Sequence, residues 1–183
     1  MVIKYAEGVQ ARFLGCLKAT NPGGIVAGAL YRSHCKYLVE ENQVGQLLYD
    51  KVDKPKHESA AQLLFFGIAS AYCKANNLNL SPESDAGREH VDFKMSKGIK
   101  EKILVEVKLT SNKQLAHGFE TRLPIYQRAE NGERGIYLFI DNGGASEGRL
   151  KSFINTVNSA GAAAPKVLWV DAVRRALASK AHE

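Results

Sequence analysis

Apolar and polar residues alternate through Lys102-Ile103-Leu104-Val105-Glu106-Val107-Lys108-Leu109-Thr110, a period that sets Ile103, Val105, Val107 and Leu109 on one face of a strand and Glu106 with Lys108 on the other. A second alternating stretch, His90-Val91-Asp92-Phe93-Lys94-Met95, buries Val91, Phe93 and Met95 by the same rule and sets Asp92 opposite them. A turn between Ser96 and Glu101, centred on Ile99 and with Gly98 available for a left-handed position, joins the two as an antiparallel hairpin. In that register Asp92 stands directly across from Glu106.

Helical spacing governs most of the rest. Residues 5–19 carry Val9, Phe13, Leu14 and Leu17 at helical intervals, Asn21-Pro22-Gly23-Gly24 breaks the pattern, and residues 25–50 resume it, so the first third reads as two or three helices. After the charged connector at 51–56, residues 57–69 read as an amphipathic helix that buries Ala60, Leu63, Leu64 and Ala71. Ser111-Asn112 can cap a helix over 113–120, and Pro124 restarts a second piece through 130, which predicts a bent helix. Residues 135–140 form a near-continuous apolar run, as a strand buried on both faces requires. Gly143-Gly144 marks a turn, followed by a helix over 147–159, a strand at 166–170 that packs Trp169, and a helix over 172–180. The alternation of strands and helices gives an α/β class with parallel strands added to an antiparallel hairpin.

Chemistry changes the picture at the hairpin. Directly paired residues hold their Cβ atoms roughly 4.5–5.5 Å apart, and two carboxylates that close destabilise a sheet unless positive charge lies between them. An oxygen-seeking divalent cation suits that place better than one lysine does. Asp92, Glu106 and Lys108 therefore read as a site, against the plain alternative that Glu-x-Lys is a solvated strand face.

These residues resemble the PD-(D/E)XK nuclease superfamily, with the match running over roughly residues 56–141. The resemblance implies a restriction-endonuclease-like core of a helix, a three-stranded antiparallel meander, a second helix and a further strand. Here that core carries an N-terminal helical region at 1–52 and C-terminal strand-helix additions within a domain at 53–183, the two forming separate regions or one compact unit. It assigns the catalytic positions to Asp92, Glu106 and Lys108, and to Glu58 on the preceding helix. Mg2+ or Mn2+ would be held by Asp92, Glu106, Glu58 and the backbone carbonyl of Val107. The sequence departs from the strict motif in having Val91 where a proline precedes the aspartate, and Arg122 with Tyr126 meets a Gln-x-x-x-Tyr spacing with arginine in place of glutamine. Arg88, Gln62, Arg122 and Tyr126 are the candidate nucleic-acid contacts, although Glu58 also suits a helix first turn and Tyr126 also suits a core.

The implied activity is metal-dependent hydrolysis of DNA phosphodiesters, in a setting such as defence, restriction or a mobile element. Two alternatives stand beside it: an inactive nuclease fold serving as a nucleic-acid-binding or assembly module, and an unrelated α/β protein. A homodimer would suit cleavage of both strands of a duplex. Composition agrees without selecting among them. At 183 residues, 45% hydrophobic, 24% charged and with a formal charge of +6, the chain is ordinary globular material with a modest preference for anionic partners. Cys16, Cys35 and Cys73 have no C-x-x-C spacing, so neither a zinc knuckle nor a disulfide framework is expected. No apolar run reaches the roughly 20 residues that cross a bilayer and no signal peptide is recognisable, so no membrane partner and a cytoplasmic location are expected.

Overall fold

In the computed structural model, which describes residues 37–82, 91–97, 101–129 and 134–174, the two alternating stretches are paired strands. They are β2 (Phe93–Lys97) and β3 (Glu101–Leu109), joined antiparallel with Phe93 opposite Val105, Met95 opposite Ile103 and Lys97 opposite Glu101. That register is centred on Ile99, as the alternation predicts. Strand β1 (Asn79–Pro82) pairs antiparallel with β2, and β4 (Arg134–Asp141) and β5 (Lys166–Asp171) continue the sheet in parallel with β3, in the order β1-β2-β3-β4-β5. The architecture is α/β with a mixed five-stranded sheet.

Helices cover both faces, so the inner strands are apolar on both sides. On one face, Phe93, Met95, Ile103, Val105, Val107, Leu109, Ile136, Leu138 and Ile140 pack against helix α1 (Glu58–Ala75), with Leu48 from a 3-10 turn at Val44–Leu48. On the other, Leu104, Tyr137, Phe139, Val167 and Trp169 pack against two helical elements. The first, α2, runs from Leu115–His117 through a π-turn at Gly118–Arg122 into Leu123–Ala129; the second is α3 (Glu147–Ser159). Trp169 sits 4.4 Å from Phe139, centroid to centroid, and is packing, as expected. The predicted strands at 135–140 and 166–170 and the helix at 147–159 are all present.

Several expectations are corrected. Strand β2 begins at Phe93, and Asp92 lies in the bend before it, so Val91 turns to the opposite core and packs with Leu104 and Leu123 instead of with Phe93. In α1 the buried stripe is Ala61, Phe65, Ala69 and Cys73, a strict i, i+4 row, while Leu63 is 71% exposed and Ala71 is exposed. Small Ala61 and Ala69 bring the helix close to the sheet, and Ala60 and Leu64 only flank it. Helix α2 starts at Leu115, not at 113, and its bend is the π-turn: the Leu123 N–H bonds to the Gly118 carbonyl five residues back, which accommodates Pro124, whose ring and missing N–H disturb a regular turn. The short edge strand β1 is marked by no hydrophobic period; it stands where the implied three-stranded meander requires its first strand.

Of the helix expected over 25–50, the described part, 37–50, is a π-turn at 37–41, a 3-10 turn at Val44–Leu48 and then Tyr49, which bridges Pro55. Residues 172–174 are not helical, because Ala172 bonds through its N–H to the Asp141 carbonyl and through its carbonyl to the Tyr49 hydroxyl. The expected helix at 5–19, Cys16 and Cys35 fall outside the described residues, as does the remainder of the helix expected over 172–180. Among the described residues, no helix is long and apolar enough to cross a membrane.

Two glycines with opposite surroundings test this packing. A Cβ on Gly118 would stand 2.9 Å from the Tyr137 hydroxyl oxygen, which the core holds fixed, whereas a Cβ on Gly67 of α1 meets nothing within 4 Å. Gly118→Ala is expected to lower the urea unfolding free energy by about 1–3 kcal/mol through overpacking. Gly67→Ala is expected to raise it by about 0.5–1 kcal/mol through helix propensity.

Candidate active site

Strand β3 outruns β2. Their pairing stops at Phe93 and Val105, so the N–H groups of Val107 and Leu109 project from an edge with no strand to receive them. Two carboxylates take that place. Asp92 Oδ2 accepts from Val107 N at 2.7 Å, and Glu58 Oε2 accepts from Leu109 N at 3.2 Å. Within a strand a residue's carbonyl lies on the same edge as its N–H, so the Val107 carbonyl opens beside Asp92.

Glu106 and Lys108 lie on the α2 face of the same strand, where both are buried. The Lys108 ammonium bridges two acids, at 2.7 Å from Glu58 Oε1 and 3.0 Å from Glu106 Oε1. Arg122, from the π-turn of α2, reaches 3.9 Å from Glu106 Oε1. These are ion-pair distances; among the described residues neither Glu106 oxygen receives an aligned hydrogen bond. A fully buried carboxylate without directed donors is a costly group, and here that cost is offset only by the two ion pairs.

The structure thus brings together Asp92, Glu106, Lys108 and Glu58, the four residues marked as catalytic from sequence, with the Val107 carbonyl on the same edge. Gln62 joins them by donating to Asp92 Oδ1 at 2.7 Å, and Arg122 joins them through Glu106. Tyr126 packs instead against the core between α2 and the sheet, and Arg88 falls outside the described residues. Arg128 is exposed and donates to the Pro124 carbonyl of its own helix.

Three further members escaped the sequence reading. Asn112 donates to Glu58 Oε2 at 2.8 Å. Tyr137, paired with Glu106 across β3 and β4, turns its hydroxyl to the Leu115 carbonyl. Gly118 lets α2 settle over Tyr137 and Lys108, whose Cε lies 3.5 Å from the position of a Cβ there. Only Asn112 left a trace in the sequence, as a turn residue ahead of a helix.

Electrostatics follow from burial. The Asp92 carboxyl is pushed up to about 7 by burial first and by the Glu106 charge second, outweighing Lys108 and the Val107 N–H. For Lys108, burial pulls downward, but Glu106, Asp92 and Glu58 together outweigh it and leave the ammonium above its ordinary value. Burial likewise raises Tyr137, helped by the same three acids.

Two carboxylates, Asp92 at the edge and Glu106 on the adjoining face, and the Val107 carbonyl are oxygen donors of the kind a hard divalent cation takes. Among the described residues no group of three or more His, Cys, Asp or Glu side chains is placed to hold a metal ion, and water would have to complete the coordination of any Mg2+ or Mn2+ bound by fewer. Asp92, Glu106 and the Val107 carbonyl are the residues that would hold it.

The raised Asp92 carboxyl has a stability consequence whose sign is fixed. Between its ordinary 3.8 and about 7 the folded state binds the proton more tightly than the unfolded chain, so folding weakens as pH rises through that window. Metal-free protein is expected to show a lower urea midpoint at pH 7.5 than at pH 5. In Asp92→Asn that difference should shrink, and equal pH dependence in the two proteins would show that Asp92 is not the group responsible.

No curated protein and no solved structure matches the chain. The domain of unknown function DUF8371 matches residues 30–144, a span that contains the whole cluster from Glu58 to Arg122. Because that match covers more than half of the 183 residues, the chain belongs to this family.

Proposed function

We propose that this protein is a metal-dependent nuclease that hydrolyses DNA phosphodiesters, with a restriction-endonuclease-like core of the PD-(D/E)XK type. The observation that carries the reading is Glu106, fully buried, without an aligned donor, and beside a second acid whose proton leaves only near neutrality. Such a pair is poor for stability and good for capturing a divalent cation. The order helix α1, antiparallel β1-β2-β3, helix α2 and parallel β4 supports the fold assignment.

Bound Mg2+ or Mn2+ would stabilise negative charge building on the phosphoryl group and make the attacking water more acidic. Lys108 supplies the second positive charge. Surrounded by three acids it stays protonated at neutral pH, so its role is to donate hydrogen bonds to the attacking water and to developing charge, not to remove a proton. Gln62 fixes Asp92 by holding one oxygen while the Val107 N–H holds the other, which leaves lone pairs on both for a cation. Arg122, half-buried at the margin of the cluster, is suited to a phosphate oxygen, and the net charge of +6 favours a polyanionic substrate.

The test is digestion of circular and linear, single- and double-stranded DNA with Mg2+, with chelator as control. Wild-type protein is expected to cut only with the metal. Asp92→Ala and Lys108→Ala are expected to cut at least about 100-fold more slowly while circular dichroism shows them folded. Wild-type protein that binds DNA and leaves it intact would identify a binding module and refute the enzyme.

A further inference from the structure

We infer that Glu58 and Asn112 form a clamp that positions the Lys108 ammonium, and that Glu58 is not a metal ligand; this rests on the nuclease reading. Two acids flank the ammonium, and they differ in the hydrogen bonds they accept. Glu58 accepts three hydrogen bonds, one of them from a cation: Oε1 from Lys108 Nζ at 2.7 Å, Oε2 from Leu109 N at 3.2 Å and from Asn112 Nδ2 at 2.8 Å. Glu106 has no aligned donor among the described residues. A cation arriving at the sheet edge would therefore compete at Glu106 only with ion pairs to Lys108 and Arg122, whereas at Glu58 it would have to displace hydrogen bonds from one charged and two neutral donors.

Asn112 is built to hold Glu58 still. Its N–H bonds to the Leu109 carbonyl at 2.9 Å, closing the turn after β3, and its Oδ1 accepts from Gln114 N at 2.8 Å, which leaves only the amide donor to face Glu58. The turn thus fixes Asn112, Asn112 fixes Glu58, and Glu58 fixes the ammonium. A divalent cation on Glu106 would repel the ammonium from that acid, and the Glu58 carboxylate would keep it in place. Loss of the clamp would leave the metal bound and Lys108 misaimed, which costs turnover and not binding.

Three variants test this. Asn112→Asp keeps the acceptor for Gln114 N–H but replaces the amide donor with a carboxylate oxygen; Asn112→Ala removes both; Glu58→Gln removes the charge facing Lys108. Calorimetry with Mn2+ is expected to give Glu58→Gln and Asn112→Ala dissociation constants within about threefold of wild type, whereas Asp92→Asn and Glu106→Gln lose binding. In Mg2+-dependent cleavage of a linear duplex, Glu58→Gln and Asn112→Asp are expected to lose about 10- to 100-fold in kcat with KM within about threefold. A tenfold or greater loss of Mn2+ affinity in Glu58→Gln overturns the inference alone, as does wild-type kcat in Asn112→Asp. Wild-type protein that binds no Mn2+ overturns the nuclease reading and the inference with it. Should Asn112→Ala not fold, Glu58→Gln calorimetry decides.

Discussion

Beyond Val105, strand β3 has no strand beside it on its β2 side, and its backbone donors there must be satisfied by something else. Carboxylates from a bend and from a helix start fill that role, through Asp92 on Val107 and Glu58 on Leu109. An antiparallel strand continued by four residues would have satisfied the same donors and left no room for acids. The divergence of β2 from β3 is thus the constraint from which the cluster follows: it draws two acids to one edge, where β3 already carries Glu106 and Lys108.

Once gathered, these charges compensate one another only in part. Lys108 lies between Glu58 and Glu106 within 3.0 Å of both, an arrangement in a dry interior that holds together only because each charge has a neighbour of opposite sign. Three acids against one buried lysine and a marginal arginine leave an excess of negative charge, and the Asp92 carboxyl is raised by its burial first and by that excess second. The parallel half of the sheet contributes the ceiling. Gly118 in the π-turn of α2 allows the helix to rest on Tyr137, and Phe119, Phe153 and Tyr137 form a mutually packed aromatic group behind the charges. The low dielectric that strengthens each ion pair therefore comes from the same contacts that hold α2 and α3 to the sheet.

Much of this was legible one element at a time. Alternation with period two fixed which residues of β3 share a face, and the turn centred on Ile99 followed from matching the two alternating runs. The buried run at 135–140 and the helix at 147–159 were equally plain, because both signals are local. The sequence pattern did not show where a strand stops. Asp92 and Val91 continue the alternation on paper while the chain bends between Val91 and Phe93, which sends Val91 into the opposite core. For α1, periodicity marked a helix but not its inward side, since several apolar residues surround it and the sheet admits only the narrow row headed by Ala61 and Ala69. Edge strand β1 is four residues long with one partly buried side chain, Leu80, too little for a period to register.

The sequence by itself determined the α/β pattern, the pairing register of the hairpin and the presence of Asp92, Glu106 and Lys108 on it, because these depend on neighbours within a few residues. Tertiary structure alone decided that Glu58, fifty residues before Lys108, holds its ammonium, that Asn112 and Gln62 steady the two outer acids, and that Glu106 is left without an aligned donor. Those relations arise where a helix end, a bend and a strand end converge in space, and hydrogen-bond geometry across such distances has no periodic trace in the chain.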